Sequence, residues 1–390
     1  RCCPGRVTPN SRNSRWTAPR IPAASGAGDA APAAAFVRDW LREAGIDATR
    51  VEEPDPERPQ VGARVGEGGP TVVLNGHLDV VPAGDPEAWT VDPYEGVVAD
   101  GRLYGRGSAD MKTGVALAML VARDVAPAIR AGDLSGSVVV HAAMGEETAD
   151  PGTRTLLERG FDGEYGLVLE PTNLRVATSS KGLSVYRIDV DGVATHASQP
   201  DAGSNAIDAV RPVLDAIDAY DASLRERDGS LCGNGFATVT EIEAGTGSNL
   251  AVVPDRATIV LDRRVLPGEE PTAVDEEVDA LLDRVAADHG VETRWTRIQT
   301  YASSSIPVDH PLATTLRERS TAAVGSTVDE PWGIEAATDA RNFVNDAGIP
   351  AVTWGPGDLD EAHTVDESID LDDAALARTV LEDVVCDLIA

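Results

Sequence analysis

Three short apolar runs in this sequence each give way to residues able to hold a metal ion or carry a proton. Thr71-Val72-Val73-Leu74-Asn75 runs into Gly76-His77-Leu78-Asp79-Val80-Val81-Pro82. Ser137-Val138-Val139-Val140-His141-Ala142 leads to Met144-Gly145-Glu146-Glu147, and Gly166-Leu167-Val168-Leu169 ends in Glu170-Pro171. Two further segments carry the same residue types. Gly105-Arg106-Gly107-Ser108-Ala109-Asp110-Met111-Lys112 is a glycine-rich turn that presents Asp110 where a helix begins, and Gly355-Pro356-Gly357 precedes Glu361-Ala362-His363-Thr364. Two imidazoles with several carboxylates suit borderline divalent ions such as Zn²⁺, Co²⁺ or Mn²⁺. A carboxylate shared by two such ions makes a dinuclear centre with the ions about 3.5–4 Å apart.

The chemistry such a centre serves is hydrolysis of a poor electrophile by a poor nucleophile. A bound ion polarises a carbonyl and lowers the pKa of water from about 15.7 towards about 7. A carboxylate outside the ligand set then carries a proton from water to the departing amine. Adjacent Glu146 and Glu147 can divide the roles of base and ligand, in either order. Asp79, two residues from His77, can fix that imidazole from behind. Any one fragment alone is a weak signal, because paired acids abound in a chain with 65 Asp and Glu. The joint pattern carries the reading. His141, His289 and His310 lack this setting and read as structural or surface residues. The glycine-rich turn lacks the spacing of a phosphate-binding loop, and no G-x-S-x-G nucleophile elbow occurs.

Elements that would position these groups are visible in the text. A fourth apolar run spans Ile349-Pro350-Ala351-Val352-Thr353-Trp354. Helical spacing appears around Phe36–Leu41 with a stop at Gly45, over Met111–Val125 and over Thr153–Arg159. Buried strands alternating with helices predict an α/β fold, a doubly wound mixed sheet. In such sheets ligands gather beyond the carboxyl ends of the strands. The middle of the chain has another texture. Tyr186, Ile188 and Val190 alternate with Arg187 and Asp189, and Ile259 and Leu261 with Thr258 and Val260, as in half-exposed antiparallel strands. Helices carry Ile207, Val210, Leu214, Ile217 and Tyr220, then Val274, Val278, Leu281, Leu282 and Val285. Pro212 is expected to kink or shorten the first of these. The expected organisation is a catalytic domain over residues 31–180 and 293–390, with a smaller α+β domain inserted at 181–292.

Composition limits the partners. The chain has 390 residues, a length for two domains, with 33 basic and 65 acidic residues and a net charge of −32. That charge excludes nucleic acid and disfavours anionic membrane. An apolar content of 42% excludes wholesale disorder. A hydrated, self-repelling surface of halophilic type remains. Only two lysines occur, Lys112 and Lys181. Cys2, Cys3, Cys232 and Cys386 show no metal-binding spacing and read as free thiols in a reducing, cytoplasmic setting. No apolar run reaches membrane-spanning length. Residues 1–30 carry five arginines before the first acid, Asp29, without apolar periodicity, and read as a tail outside the fold.

The motifs, in this order, closely resemble the acetylornithine deacetylase and succinyl-diaminopimelate desuccinylase family, which also holds aminoacylases and glutamate carboxypeptidases. The resemblance spans roughly residues 32–385. It implies that Asp110 bridges two zinc ions, with His77 and Glu170 completing one site and Glu147 and His363 the other. It implies Glu146 as general base and acid, and a cis peptide after Asp110, costly for a non-proline bond. Gly192-Val193-Ala194-Thr195-His196-Ala197-Ser198 resembles the segment whose histidine stabilises the oxyanion, often in the partner subunit's site, which implies a homodimer formed through the inserted lid domain. Ser248-Asn249 and Arg264 resemble positions that hold a substrate carboxylate, and Thr338-Asp339-Ala340-Arg341 a segment near the site. The implied reaction is cleavage of an N-acyl amino acid. A di- or carboxypeptidase with the same centre, or an inactive binding or assembly relative, are the alternatives.

Overall fold

In the computed structural model, the described residues are 21, 30–148, 151–227, 229, 231–245, 247 and 249–390. The expectation for residues 1–30 thus falls almost wholly outside them. Two compact units emerge: Arg1–Ser179 with Ser305–Ile334 and Thr338–Ala390, and Ser180–Ser304 with Glu335–Ala337.

The first unit is built on a mixed sheet. Its order runs Asp47–Val51, Gln60–Val65, Ser137–Ala143, Thr71–His77, Tyr165–Val168, Ala351–Thr353, Ala177–Ser180. The four strands from Ser137–Ala143 to Ala351–Thr353 are mutually parallel, and antiparallel strands flank them. These four coincide with the four apolar runs. Their continuous hydrophobicity follows from burial on both faces. Val72 and Leu74 pack into one core with Val37, Leu41, Leu117, Leu316 and Leu381 from four helices, Ala31–Glu43, Thr113–Ala131, Pro311–Val324 and Leu371–Ile389. Val73, between them, points the other way with Val139, Val168, Leu157 and Phe343. The period-two alternation of side chains therefore feeds two cores from one strand, giving the doubly wound sheet.

The second unit is an antiparallel sheet ordered Ala237–Ala244, Arg256–Val265, Gly182–Asp191, Thr293–Tyr301. Tyr186, Ile188, Val190, Ile259 and Leu261 pack against Val210, Val213 and Ile217 of the helix Ala206–Arg225, and against Val278 and Leu281 of the helix Pro271–His289. The strand Thr293–Tyr301 pairs with Gly182–Asp191, so the insertion runs past residue 292. Pro212 does not shorten its helix, which continues for 20 residues. Val210, Val213, Ile217 and Tyr220 on the buried face hold it together beyond the one bond that proline cannot donate. Cys386 also departs from expectation: it is disulfide-bonded. Among the described residues, no helix is long and apolar enough to cross a membrane.

Candidate metal centre

Strand register explains how distant residues meet. His77 ends its strand opposite Ala143, and Asn75 of the same strand lies opposite Val168. Glu146 and Glu147 follow Ala143, and Glu170 follows Val168, so all leave the sheet at one carboxyl edge. Asp110 comes from the turn Ser108–Lys112, entered through Gly107 at φ +82°, where a Cβ would also lie 2.7 Å from Val80 Cγ1. The helix that follows seats closely on the Glu170 strand. A Cβ on Gly114 would lie 2.3 Å from the Leu169 carbonyl oxygen. The Asp110–Met111 peptide is cis, as the resemblance implied. His363 is held at φ +62°, a left-handed backbone unusual for a side-chain-bearing residue and common at sites under functional constraint.

The five residues expected as ligands converge. His77 Nε2 lies 3.0 Å from Asp110 Oδ1 and 3.7 Å from Glu170 Oε1. His363 Nε2 lies 3.3 Å from Asp110 Oδ2 and 3.2 Å from Glu147 Oε1. Each oxygen of Asp110 thus faces a different imidazole. His77, Asp110 and Glu147 offer ligand atoms within 4.8 Å of one another.

Electrostatics shows a centre short of positive charge. Burial alone would lower the pKa of His77, but the hydrogen bond with Asp110 and the charges of Glu170 and Asp79 raise it well above the usual value. His363 is pushed up to about 10 by hydrogen bonds with Asp110 and Glu147. Burial, aided by Asp110, raises Glu170 well above the carboxylate range. Burial works against the charge of Asp110 too, yet the two imidazoles hold it well below its ordinary value. Nitrogen and oxygen donors crowded around an anion that draws protons onto its neighbours fit divalent cations.

The surrounding residues fix the donors. His77 Nδ1 donates to the Asp79 main-chain carbonyl at 2.9 Å, while the Asp79 carboxylate is 3.8 Å away. That carboxylate instead accepts from the amides of Gly145 at 2.8 Å and Glu147 at 3.0 Å. Asp79 therefore orients the imidazole through its backbone and clamps the Glu146–Glu147 loop through its side chain. Glu146 is pushed up to about 8 by burial, with Arg341 as the leading opposing charge. Lys112 is buried and brought down to about 8, despite nearby Asp79, Glu367 and Asp110. Its Nζ donates to the Leu78 carbonyl at 2.8 Å.

Two supports were not legible beforehand. Arg341 faces Glu146, and Glu367 accepts hydrogen bonds from the turn that carries Asp110. The first lay in a segment noted without a role. The second follows His363 by four residues, but in an acid-rich chain an Asp-Glu pair carries no distinguishing signal.

The other expected site residues each have local contacts of their own. Thr338 is buried beside Thr353, with 3.0 Å between the hydroxyl oxygens. In the second unit, His196 is exposed on the two-residue strand Thr195–His196. Its Nδ1 accepts from the Ser198 amide at 3.1 Å, which leaves the ring proton on Nε2. Asn249 Oδ1 accepts from the Ala251 amide, and Ser248 lies outside the described residues. Arg264 Nε pairs with Asp262 Oδ1 at 3.0 Å, an ion pair along its own strand. Its neighbour Arg263, turned to the opposite face, is fully buried with Glu269, Glu277 and Tyr220.

A doubly wound sheet gathering two imidazoles and four carboxylates at its carboxyl edge defines a metal-dependent hydrolase centre. Residues 73–387 match peptidase family M20/M25/M40, and the chain belongs to that family. It is 33% identical over 341 residues to a succinyl-diaminopimelate desuccinylase of Xanthomonas oryzae pv. oryzae, covering 81% of this chain and 84% of the relative. Its fold is similar to an M20 metallo-carboxypeptidase from Sulfolobus solfataricus, with a TM-score of 0.75 at 18% identity over 93% of this chain and 96% of the other. A dinuclear metal-binding M20 peptidase from Bacillus subtilis gives 0.67 at 17% identity, over 95% of both chains. The chain is a metal-dependent hydrolase acting on amides.

Proposed function

We propose that this protein removes the acyl group from an N-acyl amino acid, in the manner of a succinyl-diaminopimelate desuccinylase or an acetylornithine deacetylase, with two zinc ions as cofactor. The observation that carries the reading is Asp110, whose two oxygens each face a different imidazole. Asp110, His77, Glu170, Glu147 and His363 would hold the ions, Asp110 as the residue common to both ligand sets, His77 and Glu170 in one and Glu147 and His363 in the other. Divalent ions bound there supply charge that polarises an amide carbonyl and acidifies water.

The chain's own residues do the rest. Glu146, facing Arg341, accepts a proton from water and returns it to the leaving amine. A carboxylate outside the ligand set is the group suited to both halves of that task. Asp79 keeps the Glu146–Glu147 loop in place. His196 presents an Nε2–H donor of the kind that stabilises an oxyanion. Asn249 and Arg264 hold the substrate carboxylate, Arg264 after exchanging its partner Asp262, and Thr338 belongs to a segment that contributes to substrate binding. Pairing of two copies through the inserted unit, and a cytoplasmic location, belong to the same proposal.

The test is a substrate panel assayed with added Zn²⁺, Co²⁺ or Mn²⁺: N-succinyl-diaminopimelate, N-acetylornithine, and simple dipeptides. Preference for the first two supports a deacylase. Preference for dipeptides would replace it with the peptidase reading, which the fold likeness to a carboxypeptidase also favours. No hydrolysis of any amide by metal-loaded protein would overturn both.

A further inference from the structure

We infer that Glu367 is a positioning residue of the metal centre, tying the turn that delivers Asp110 to the segment that delivers His363. Its side chain has no exposed surface, and a buried carboxylate persists only where donors satisfy it. Four donors converge on it. Arg106 Nη1 and the Gly107 amide donate to Oε2 at 2.6 and 3.1 Å. The amides of Ala109 and of Asp110 itself donate to Oε1 at 2.9 and 3.1 Å. The Glu367 main-chain carbonyl also accepts from the Gly105 amide at 2.9 Å. Both ends of the Gly105–Asp110 turn are therefore pinned to one residue, four positions beyond His363. Asp110 and His363 stand 3.3 Å apart across the centre, and Glu367 holds the backbone of the first from a position four residues along the chain from the second.

The inference rests on the reading of Asp110 as the shared ligand. Residues behind a ligand set typically change metal affinity or activity about 10- to 100-fold. Glu367→Gln keeps the volume but replaces one acceptor oxygen with a donor. Each oxygen now serves two donors, so either orientation of the amide sets donor against donor.

The experiment uses the full chain stripped by chelator and titrated calorimetrically with Zn²⁺ or Co²⁺, with metal-free melting recorded in parallel. Glu367→Gln is expected to bind both ions at least about tenfold more weakly. On reloading at excess metal, its kcat should fall with little change in KM. Glu367→Asp, which keeps the charge and both acceptors, should titrate closer to wild type. Val385→Ala, in the core of the helix Leu371–Ile389, serves as a control for lost stability and should retain metal affinity. If Glu367→Gln binds ions as wild type does, or if Val385→Ala at equal melting temperature loses as much affinity, the positioning role is wrong. If wild type binds no ions, or Asp110→Ala still binds two, the centre itself is misassigned.

Discussion

Arg341 Nη1 lies 3.4 Å from Glu146 Oε1, and its Nη2 lies 3.5 Å from Asp339 Oδ1. Asp339 in turn accepts from Thr153 at 2.6 Å and from Asn342 at 2.7 Å. The proposed base is thus aimed by a guanidinium that is itself held by a buried polar network. Arg341→Met should lower kcat about tenfold, the loss of one charge-assisted contact, while metal content stays at the wild-type level. Steady-state kinetics and metal analysis on the same sample check this, and an unchanged kcat would remove Arg341 from the machinery.

Glu146→Gln keeps the shape of the site but cannot move a proton. Turnover is expected to fall by about 10²–10⁴ while metal content stays near two ions per chain. Loss of an ion would instead make Glu146 a ligand and Glu147 the base.

His196 offers a test that needs no substrate structure. If it serves the site of a second copy, neither Glu146→Gln nor His196→Ala works alone, yet mixed dimers of the two regain activity. In such a dimer one site combines the intact Glu146 of one chain with the intact His196 of the other. Unfolding, mixing and refolding the two variants should restore up to about a quarter of wild-type activity, one site in half of the dimers formed at random. No recovery would place His196 in its own chain's site or outside catalysis.

His141 makes stability depend on pH. Burial brings its pKa from 6.5 down to about 4, despite the hydrogen bond it donates from Nε2 to the Phe161 carbonyl. The unfolded chain takes up this proton near pH 6.5, and the folded chain only near 4. The stabilisation is complete above pH 6.5 and is lost as pH falls to 4, at most about 3 kcal/mol. Urea unfolding across that range should show wild type losing stability faster than His141→Gln. Parallel curves for the two would contradict it.

The net charge of −32 sets the salt response. Raising KCl from 0.1 to 1 M shortens the screening length from about 10 to about 3 Å and weakens self-repulsion. The melting temperature is expected to rise by several degrees, followed by differential scanning calorimetry. A flat or falling trend would separate this surface from the halophilic type.

The four apolar runs that became parallel strands were readable because burial on both faces leaves no polar interruption. The convergence of the proposed ligands was readable for a related reason: His77, Glu147 and Glu170 each follow such a run within a few residues. What escaped the sequence is whatever depends on register between segments far apart in the chain. Arg341 meets Glu146 across 195 residues, and Glu367 meets Asp110 across 257. Neither has a local pattern. The two-residue offset from His77 suggested that Asp79 would fix the ring, but not through which group. The main-chain carbonyl does so, because the carboxylate is taken by two loop amides. Pro212 misled because its helix is sustained by tertiary packing, which a residue-by-residue propensity does not include.

The scatter of the proposed ligands along the chain has a consequence for biosynthesis. One imidazole, the shared aspartate and Glu170 have all left the ribosome while half the polypeptide is still unmade. The second imidazole follows only after the whole second unit has been translated. On this reading a nascent chain can capture one ion early, and the other must wait for the final strand and the segment behind it. Loading is then ordered in time, and a prematurely terminated product would carry a half-filled, inactive centre.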